Sequence, residues 1–135
     1  MNFVFLWAAL GGAIGSSLRY FVGKMMPSKF LMFESFPLGT FSVNIIGCFV
    51  IGFMGHLAVK KVFGDDFGIF FITGVLGGFT TFSSYGLDTL KLLQKSQYIE
   101  AISYALGTNI LGLIGVAIGW FLAKNFVGIN LKNAF

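Results

Sequence analysis

The sequence predicts an all-α membrane protein with four transmembrane helices, and three observations support this class. Of its 135 residues, 56% are hydrophobic and only 10% are charged, which is more apolar surface than a soluble domain of this size can bury. The few charged residues cluster between long apolar runs. Each run is close to the roughly 20 residues that a helix needs to cross about 30 Å of hydrocarbon.

The runs predict spans at about 3–26, 38–59, 67–93 and 99–126, joined by short loops in a single domain, 1–135. The first run has no basic residue before it and no small-residue cleavage pattern after it, so we interpret it as a span and not as a signal peptide. The scattered lysines form no basic patch with interleaved aromatic residues, so nucleic-acid binding is not indicated. Cys48 and His56 have no ligand-type neighbours at suitable spacing and are interpreted as packing residues.

The lysines between the spans are evenly divided across the membrane. Four fall on the side of the amino terminus and four on the other side: Lys60, Lys61, Lys124 and Lys132 against Lys24, Lys29, Lys91 and Lys95. A charge bias orients membrane helices, and here the bias is zero. Either one loop dominates insertion, or the chain inserts both ways and opposite copies pair as an antiparallel, dual-topology dimer, which is the interpretation we prefer.

Polar residues inside the first two spans are few. Gly11, Gly15 and Arg19 follow one another at four-residue steps on one helical face, where the glycines permit close helix packing. Arg19 either snorkels to the nearer interface or gives positive charge to an aqueous vestibule that attracts anions. Asn44 in the second span is either a helix–helix hydrogen-bonding residue or a neutral donor to an anion.

The third run is interrupted by GGFTTFSSYG at 77–86. Unwound backbone at membrane depth is tolerated only where it is buried in protein or lines a cavity, and carbonyls freed there can bind a cation. The alternative is a glycine kink healed by hydroxyl hydrogen bonds, and spacing alone does not decide between the two.

Aromatic residues recur every three positions in this segment. Phe79, Phe82 and Tyr85 project from one side if the helix resumes after the break. Aromatic ring edges are partially positive, so ring edges, hydroxyls and the Asn44 amide make a set of neutral donors suited to a small anion. Plain packing of the aromatic stripe is the competing interpretation.

The fourth span places Tyr104 and Thr108 one turn apart, with Asn109 beside them. Thr108 either faces a pathway or bonds back to its own helix. Spans one, two and four contain no acidic residue apart from Glu100 at the start of the last. This counts against a proton-coupled exporter of cationic drugs, which needs a carboxylate within the membrane.

The sequence resembles the Fluc (CrcB) family of fluoride channels over nearly its whole length. The resemblance is carried by GGAIGSSLRY at 11–20, PLGTFSVNIIG at 37–47 and TGVLGGFTTFSSYGLD at 73–88. It implies an antiparallel homodimer in the bacterial inner membrane with two passive fluoride pathways, and no enzymatic activity. Two alternatives remain open, a small dual-topology multidrug-type transporter and a non-conducting membrane assembly protein.

The resemblance also implies roles for individual residues. Phe82 and Tyr85 would be the pathway aromatics, Asn44 a pore donor and Arg19 the vestibule arginine. Ser83, Ser84, Tyr104 and Thr108 would add hydroxyls along the pathway, and Gly77 and Thr80 would hold a structural Na⁺ through their backbone carbonyls.

Two features depart from the family pattern. The second aromatic is Tyr85 where the pattern has Phe, and its hydroxyl would either donate to fluoride or crowd the passage. The hydroxyl track stops after Thr108, with Gly112 and Val116 where Ser or Thr would continue it. A requirement for a second, related subunit stays open, although the balanced lysines favour a homodimer.

Overall fold

The computed structural model describes the backbone of residues 3–133 and is helical almost throughout. The helices are α1 (Val4–Met25), α2 (Leu38–Val59), α3 (Asp65–Gly68), a π-helical segment (Ile69–Leu76), α4 (Gly77–Phe79), α5 (Phe82–Gln94) and α6 (Tyr98–Asn133). Residues 3–133 contain no β-strand, and the loop before α2 has one isolated bridge between Phe30 and Phe33.

Four helical stretches are long and apolar enough to cross a membrane, which confirms the predicted class. They are Val4–Met25, Leu38–Val59, Asp65–Gln94 and Tyr98–Ile129. The third of these, called the third span below, joins α3, the π-helical segment, α4 and α5. Of the lysines in the topology count, Lys132 has its side chain outside the described residues.

Glycines bring α1 against the third span. A Cβ atom at Gly11 would collide with the carbonyl oxygen of Phe70, and one at Gly15 with that of Val75. From the opposite helix, a Cβ at Gly78 would lie 2.6 Å from the carbonyl oxygen of Gly12. Such contacts exist only because small residues let backbones approach closely, so the packing role predicted for Gly11 and Gly15 is confirmed.

The second helix packs against α6 in the same way. A Cβ at Gly52 would collide with the carbonyl oxygen of Val116, and one at Gly119 with that of Phe49. These contacts fix α2 beside α6.

The interruption of the third span is a two-residue break at Thr80 and Thr81. Both residues are extended, with φ −83° and ψ 156° at Thr80 and φ −153° and ψ 116° at Thr81. Gly77 and Gly78 are still helical, so the threonines form the break, and Gly78 permits the close approach of α1. This geometry is a true discontinuity and not the kinked continuous helix that was the alternative.

Candidate functional site

Asn44 of α2 holds the break in place. Its Oδ1 accepts a hydrogen bond from the Thr81 N–H at 2.8 Å, and its Nδ2 donates to the Thr81 carbonyl at 3.1 Å. Both side chains are buried. These bonds use one of the two amide N–H groups of Asn44, which leaves the second for another acceptor.

The same pairing frees a carbonyl of the third span. In a continuous α-helix the Thr81 N–H would bond to the carbonyl of Gly77, four residues earlier. Because that N–H is bonded to Asn44 instead, the Gly77 carbonyl loses its helical donor. Asn44 therefore joins α2 to the break, and the Gly77 carbonyl beside the break is left without its helical donor.

Thr81 also caps the start of α5. Its Oγ1 accepts from the Ser84 N–H at 3.2 Å, donates to Ser84 Oγ at 3.1 Å and lies 3.2 Å from Ser83 Oγ. A threonine at this position satisfies one of the unpaired N–H groups of the first helical turn. The two serine hydroxyls are thereby fixed at the first turn of α5, and the Ser84 hydroxyl keeps its own hydrogen for a further acceptor.

The prediction that three aromatic rings of the third span lie together holds for two of them, Phe82 and Tyr85. The rings of Phe82 and Tyr85 lie together on α5, with centroids 5.4 Å apart, and the Phe82 side chain is 82% exposed. Phe79 precedes the break, and its ring lies near Gly47 of α2. Its predicted alignment with the other two is wrong, because the extended residues Thr80 and Thr81 destroy the three-residue helical spacing.

Arg19 of α1 lies beside the break. Its Nη1 donates to the carbonyl of Thr80 over a long contact of 3.4 Å, and the side chain is half-buried. It lines a cavity of about 380 Å³ together with Ser84 and Thr81. The guanidinium thus contributes its positive charge within a few ångströms of the unwound backbone.

Tyr104 and Thr108 are the fourth-span residues assigned to the pathway, and their hydroxyl groups have different surroundings. The Tyr104 side chain is fully buried against Phe36 and Phe41, and its hydroxyl has no hydrogen-bond partner within the described chain. The hydroxyl of Thr108 donates to the Tyr104 carbonyl at 2.7 Å. In this structure the Thr108 hydroxyl donates its hydrogen bond to its own helix, which was one of the two interpretations of this residue.

Half of the predicted site residues meet around one cavity. It has a volume of about 270 Å³, lies between α2, the break, α5 and α6, and is lined by Asn44, Thr80, Thr81, Phe82, Tyr85, Thr108 and Asn109, among others. Arg19 and Ser84 line the cavity on the α1 side instead. Ser83, Gly77 and Tyr104 line neither of these two cavities.

Two residues of the site lay outside the predicted set. Thr81 bonds both to Asn44 and to the first turn of α5, and the signal for it was a hydroxyl residue directly before a resuming helix. Asn109 donates to the Tyr85 hydroxyl at 2.9 Å. Its signal was an amide within an apolar span, but the partner 24 residues earlier could not be read from spacing.

Four apolar spans, the third of which is interrupted at a buried polar break, define a multi-pass membrane protein of the channel and transporter kind. Residues 6–120 match the family described as CrcB-like protein, Camphor Resistance (CrcB). The chain belongs to this family, as the resemblance predicted.

Relatives within the family carry the name fluoride-specific ion channel FluC. The protein of Helicobacter pylori strain P12 is 98% identical over 130 residues, 96% of this chain and 100% of the relative. That of Helicobacter acinonychis strain Sheeba is 94% identical over 127 residues, 94% of this chain and 100% of the relative. That of Parabacteroides distasonis is 47% identical over 118 residues, 87% of this chain and 91% of the relative.

Proposed function

We propose that this protein is a passive, selective fluoride channel that lets cytoplasmic fluoride leave the cell and so lowers its toxicity. The two Helicobacter relatives named as fluoride-specific ion channels are 94% and 98% identical over nearly the whole chain. The observation in the structure that supports the proposal most directly is the break held by Asn44 and Thr81, which gathers neutral hydrogen-bond donors at one place inside an apolar molecule. Such a protein moves an ion and makes no covalent bond, so it is not an enzyme.

The donors suit a small, strongly hydrated anion. The free N–H of Asn44, the Ser84 hydroxyl at the start of α5 and the ring edges of Phe82 and Tyr85 are uncharged, and the Ser83 hydroxyl joins them if its hydrogen leaves Thr81. Uncharged donors offset part of the cost of removing water from fluoride, yet do not bind it so tightly that it cannot leave. Arg19 supplies fixed positive charge on the α1 side of the break, where it attracts anions from the vestibule.

The pathway roles proposed for Tyr104 and Thr108 of α6 have less direct support. The hydroxyl of Tyr104 lies in the aromatic cluster and that of Thr108 bonds to its own helix. In the proposed pathway they contribute after a rotation of the side chain, whereas Asn44 and Phe82 contribute as they stand.

We propose further that the channel is an antiparallel, dual-topology homodimer in the bacterial inner membrane, with two pathways. The equal division of lysines between the two sides supports insertion in both orientations. The 82% exposure of the Phe82 ring supports a second copy, because a pathway residue needs a wall on its open side.

A structural Na⁺ at the break is part of this proposal. Residues 3–129 contain no group of three or more His, Cys, Asp or Glu side chains that could hold a metal, so a cation would depend on backbone carbonyls. The Gly77 carbonyl fits, because its helical donor is diverted to Asn44. The Thr80 carbonyl fits less well, since Arg19 already contacts it, and the same two carbonyls from an antiparallel copy would complete the set.

Fluoride efflux from liposomes containing the purified protein tests the channel. We expect fluoride to leave far faster than chloride, and Phe82→Ile to abolish the flux while the dimer stays intact. Phe121→Ile is the matched control, because Phe121 is an exposed ring on α6 away from both cavities. Vesicles that retain fluoride although they contain folded dimer would refute the proposal.

Two further measurements distinguish the channel from a non-conducting assembly protein and from a multidrug-type transporter. Unchanged resistance of cells carrying Phe82→Ile would indicate a non-conducting assembly protein, in which the polar residues only join helices. Proton-dependent binding of a cationic dye would indicate a multidrug-type transporter, although acidic residues are missing from the first span.

A further inference from the structure

Tyr85 and Asn109 form a pair on the wall of the 270 Å³ cavity that Asn44, Phe82 and Thr108 also line. Asn109 lies on α6 next to Thr108, and Tyr85 lies on α5 one turn after Phe82. The two side chains are joined by a hydrogen bond of 2.9 Å between Asn109 Nδ2 and the Tyr85 hydroxyl oxygen. This bond links the two helices at the level where the hydroxyl track of α6 ends, since Gly112 and Val116 follow on the same wall.

Counting hydrogens fixes the direction of this bond. The amide nitrogen of Asn109 has two hydrogens and no acceptor lone pair. One hydrogen goes to the Ala105 carbonyl at 2.8 Å and the other to Tyr85 at 2.9 Å. The Tyr85 oxygen is therefore the acceptor, and no described residue accepts the hydrogen that Tyr85 itself carries.

The surroundings orient that unused hydrogen. The Tyr85 ring is held between Phe82 and Tyr104, with centroids 5.4 and 5.5 Å away. A phenolic hydrogen stays near the plane of the ring, so the bond from Asn109 on one side of the oxygen leaves the hydrogen on the other side. Accepting one hydrogen bond also polarises the O–H group and makes it a stronger donor.

We propose that the Tyr85 hydroxyl, positioned by Asn109, donates a hydrogen bond directly to the permeating anion and favours fluoride over chloride. Fluoride concentrates its charge in a small radius and gains more from a hydrogen bond to a fixed donor than chloride does. The donor on α5 thus replaces the hydroxyl that α6 does not supply after Thr108. This inference rests on the proposed fluoride channel and assigns one of its selectivity-determining groups.

The decisive variant is Tyr85→Phe, which keeps the ring and removes only the hydroxyl. We expect fluoride efflux from liposomes to fall about tenfold, the size that loss of one hydrogen bond to an ion implies, while chloride efflux stays unchanged. Tyr98→Phe is the matched control, because Tyr98 is an exposed tyrosine at the start of α6, outside the cavity.

A second variant removes the hydrogen bond that orients the Tyr85 hydroxyl without altering Tyr85 itself. Asn109→Leu removes the orienting bond at similar side-chain size, and we expect a smaller fall in fluoride efflux than Tyr85→Phe gives. In the double variant Asn109→Leu should add nothing to Tyr85→Phe, because residues that act through one group are not additive. A purely structural role for Asn109 would instead lower fluoride and chloride efflux alike and add to Tyr85→Phe.

The results distinguish a wrong role for Tyr85 from a wrong function for the protein. If the unaltered protein passes fluoride and Tyr85→Phe passes it equally fast with the same preference over chloride, this inference is wrong and the channel stands. If the unaltered, folded protein passes no fluoride, the proposed function fails and the inference fails with it.

Discussion

Gly15 is the position at which a single added carbon should do the most damage to the contact between α1 and the third span. In Gly15→Ala the new Cβ would collide with the carbonyl oxygen of Val75 and come within 2.8 Å of the Phe79 nitrogen. Both atoms belong to the backbone and cannot rotate away, so the helices must separate. Gly12→Ala is the matched control, since the same methyl group on the same helix meets nothing within 4 Å.

The two substitutions differ only in what the methyl group meets. Each gains up to about 1 kcal/mol of helix propensity, and this gain cancels in the comparison. Overpacking a close contact costs about 1–3 kcal/mol. We therefore expect Gly15→Ala to unfold more easily than Gly12→Ala by about 1–3 kcal/mol, or roughly five- to 150-fold in the unfolding equilibrium constant.

Reversible unfolding by SDS in mixed micelles, followed by tryptophan fluorescence and circular dichroism, measures this difference. Fluoride efflux should fall in Gly15→Ala as well, because a shift of Phe79 moves the break that follows it. If the two variants unfold within about 0.5 kcal/mol of each other, the range of ordinary surface substitutions, then the close approach at Gly15 does not stabilise the fold and the reasoning is refuted.

Three further predictions concern the break and the proposed dimer. Asn44→Ala removes both hydrogen bonds to Thr81 and should destabilise the protein by about 2 kcal/mol, as measured by the same SDS titration; equal stability would show that the break is held by something else. Replacing Na⁺ by a large organic cation should weaken the dimer on size-exclusion chromatography, and an unchanged elution profile would count against the carbonyl site at Gly77. Changing Lys60 and Lys61 together to Gln leaves two lysines against four and should orient most copies one way, as read from labelling of a terminal tag on intact cells, with a parallel loss of efflux; equal labelling of both orientations would contradict dual topology.

The features that follow from local sequence were predictable. Apolar runs of about 20 residues predicted the four spans, and glycines at four-residue steps predicted the close face of α1 at Gly11 and Gly15. The break could be placed within GGFTTFSSYG because glycines and hydroxyls disfavour a helix interior. Its position at the two threonines depended on Asn44, which lies 37 residues earlier in the chain.

Other features arise only from tertiary contacts. Ile69–Leu76 is π-helical, but an apolar run of this kind fits an α-helix equally well, and nothing local distinguishes the two. The spacing put Tyr104 and Thr108 one helical turn apart within α6, yet it could not reveal that the loop before α2 brings Phe36 onto Tyr104. The Tyr85–Asn109 bond likewise joins two helices whose mutual rotation no sequence pattern specifies.

The Asn44 amide has a consequence for how the two proposed ions influence each other. One side chain both accepts the Thr81 N–H, which a continuous helix would give to the Gly77 carbonyl, and keeps a spare N–H while it lines the cavity proposed for the anion. If Thr80 and Thr81 returned to helical backbone angles, the Thr81 N–H would bond to the Gly77 carbonyl and the Asn44 amide would lose both bonds that position it. If the proposed Na⁺ and fluoride both bind the broken form, their affinities are thermodynamically linked, and each ion then strengthens the binding of the other by the same factor.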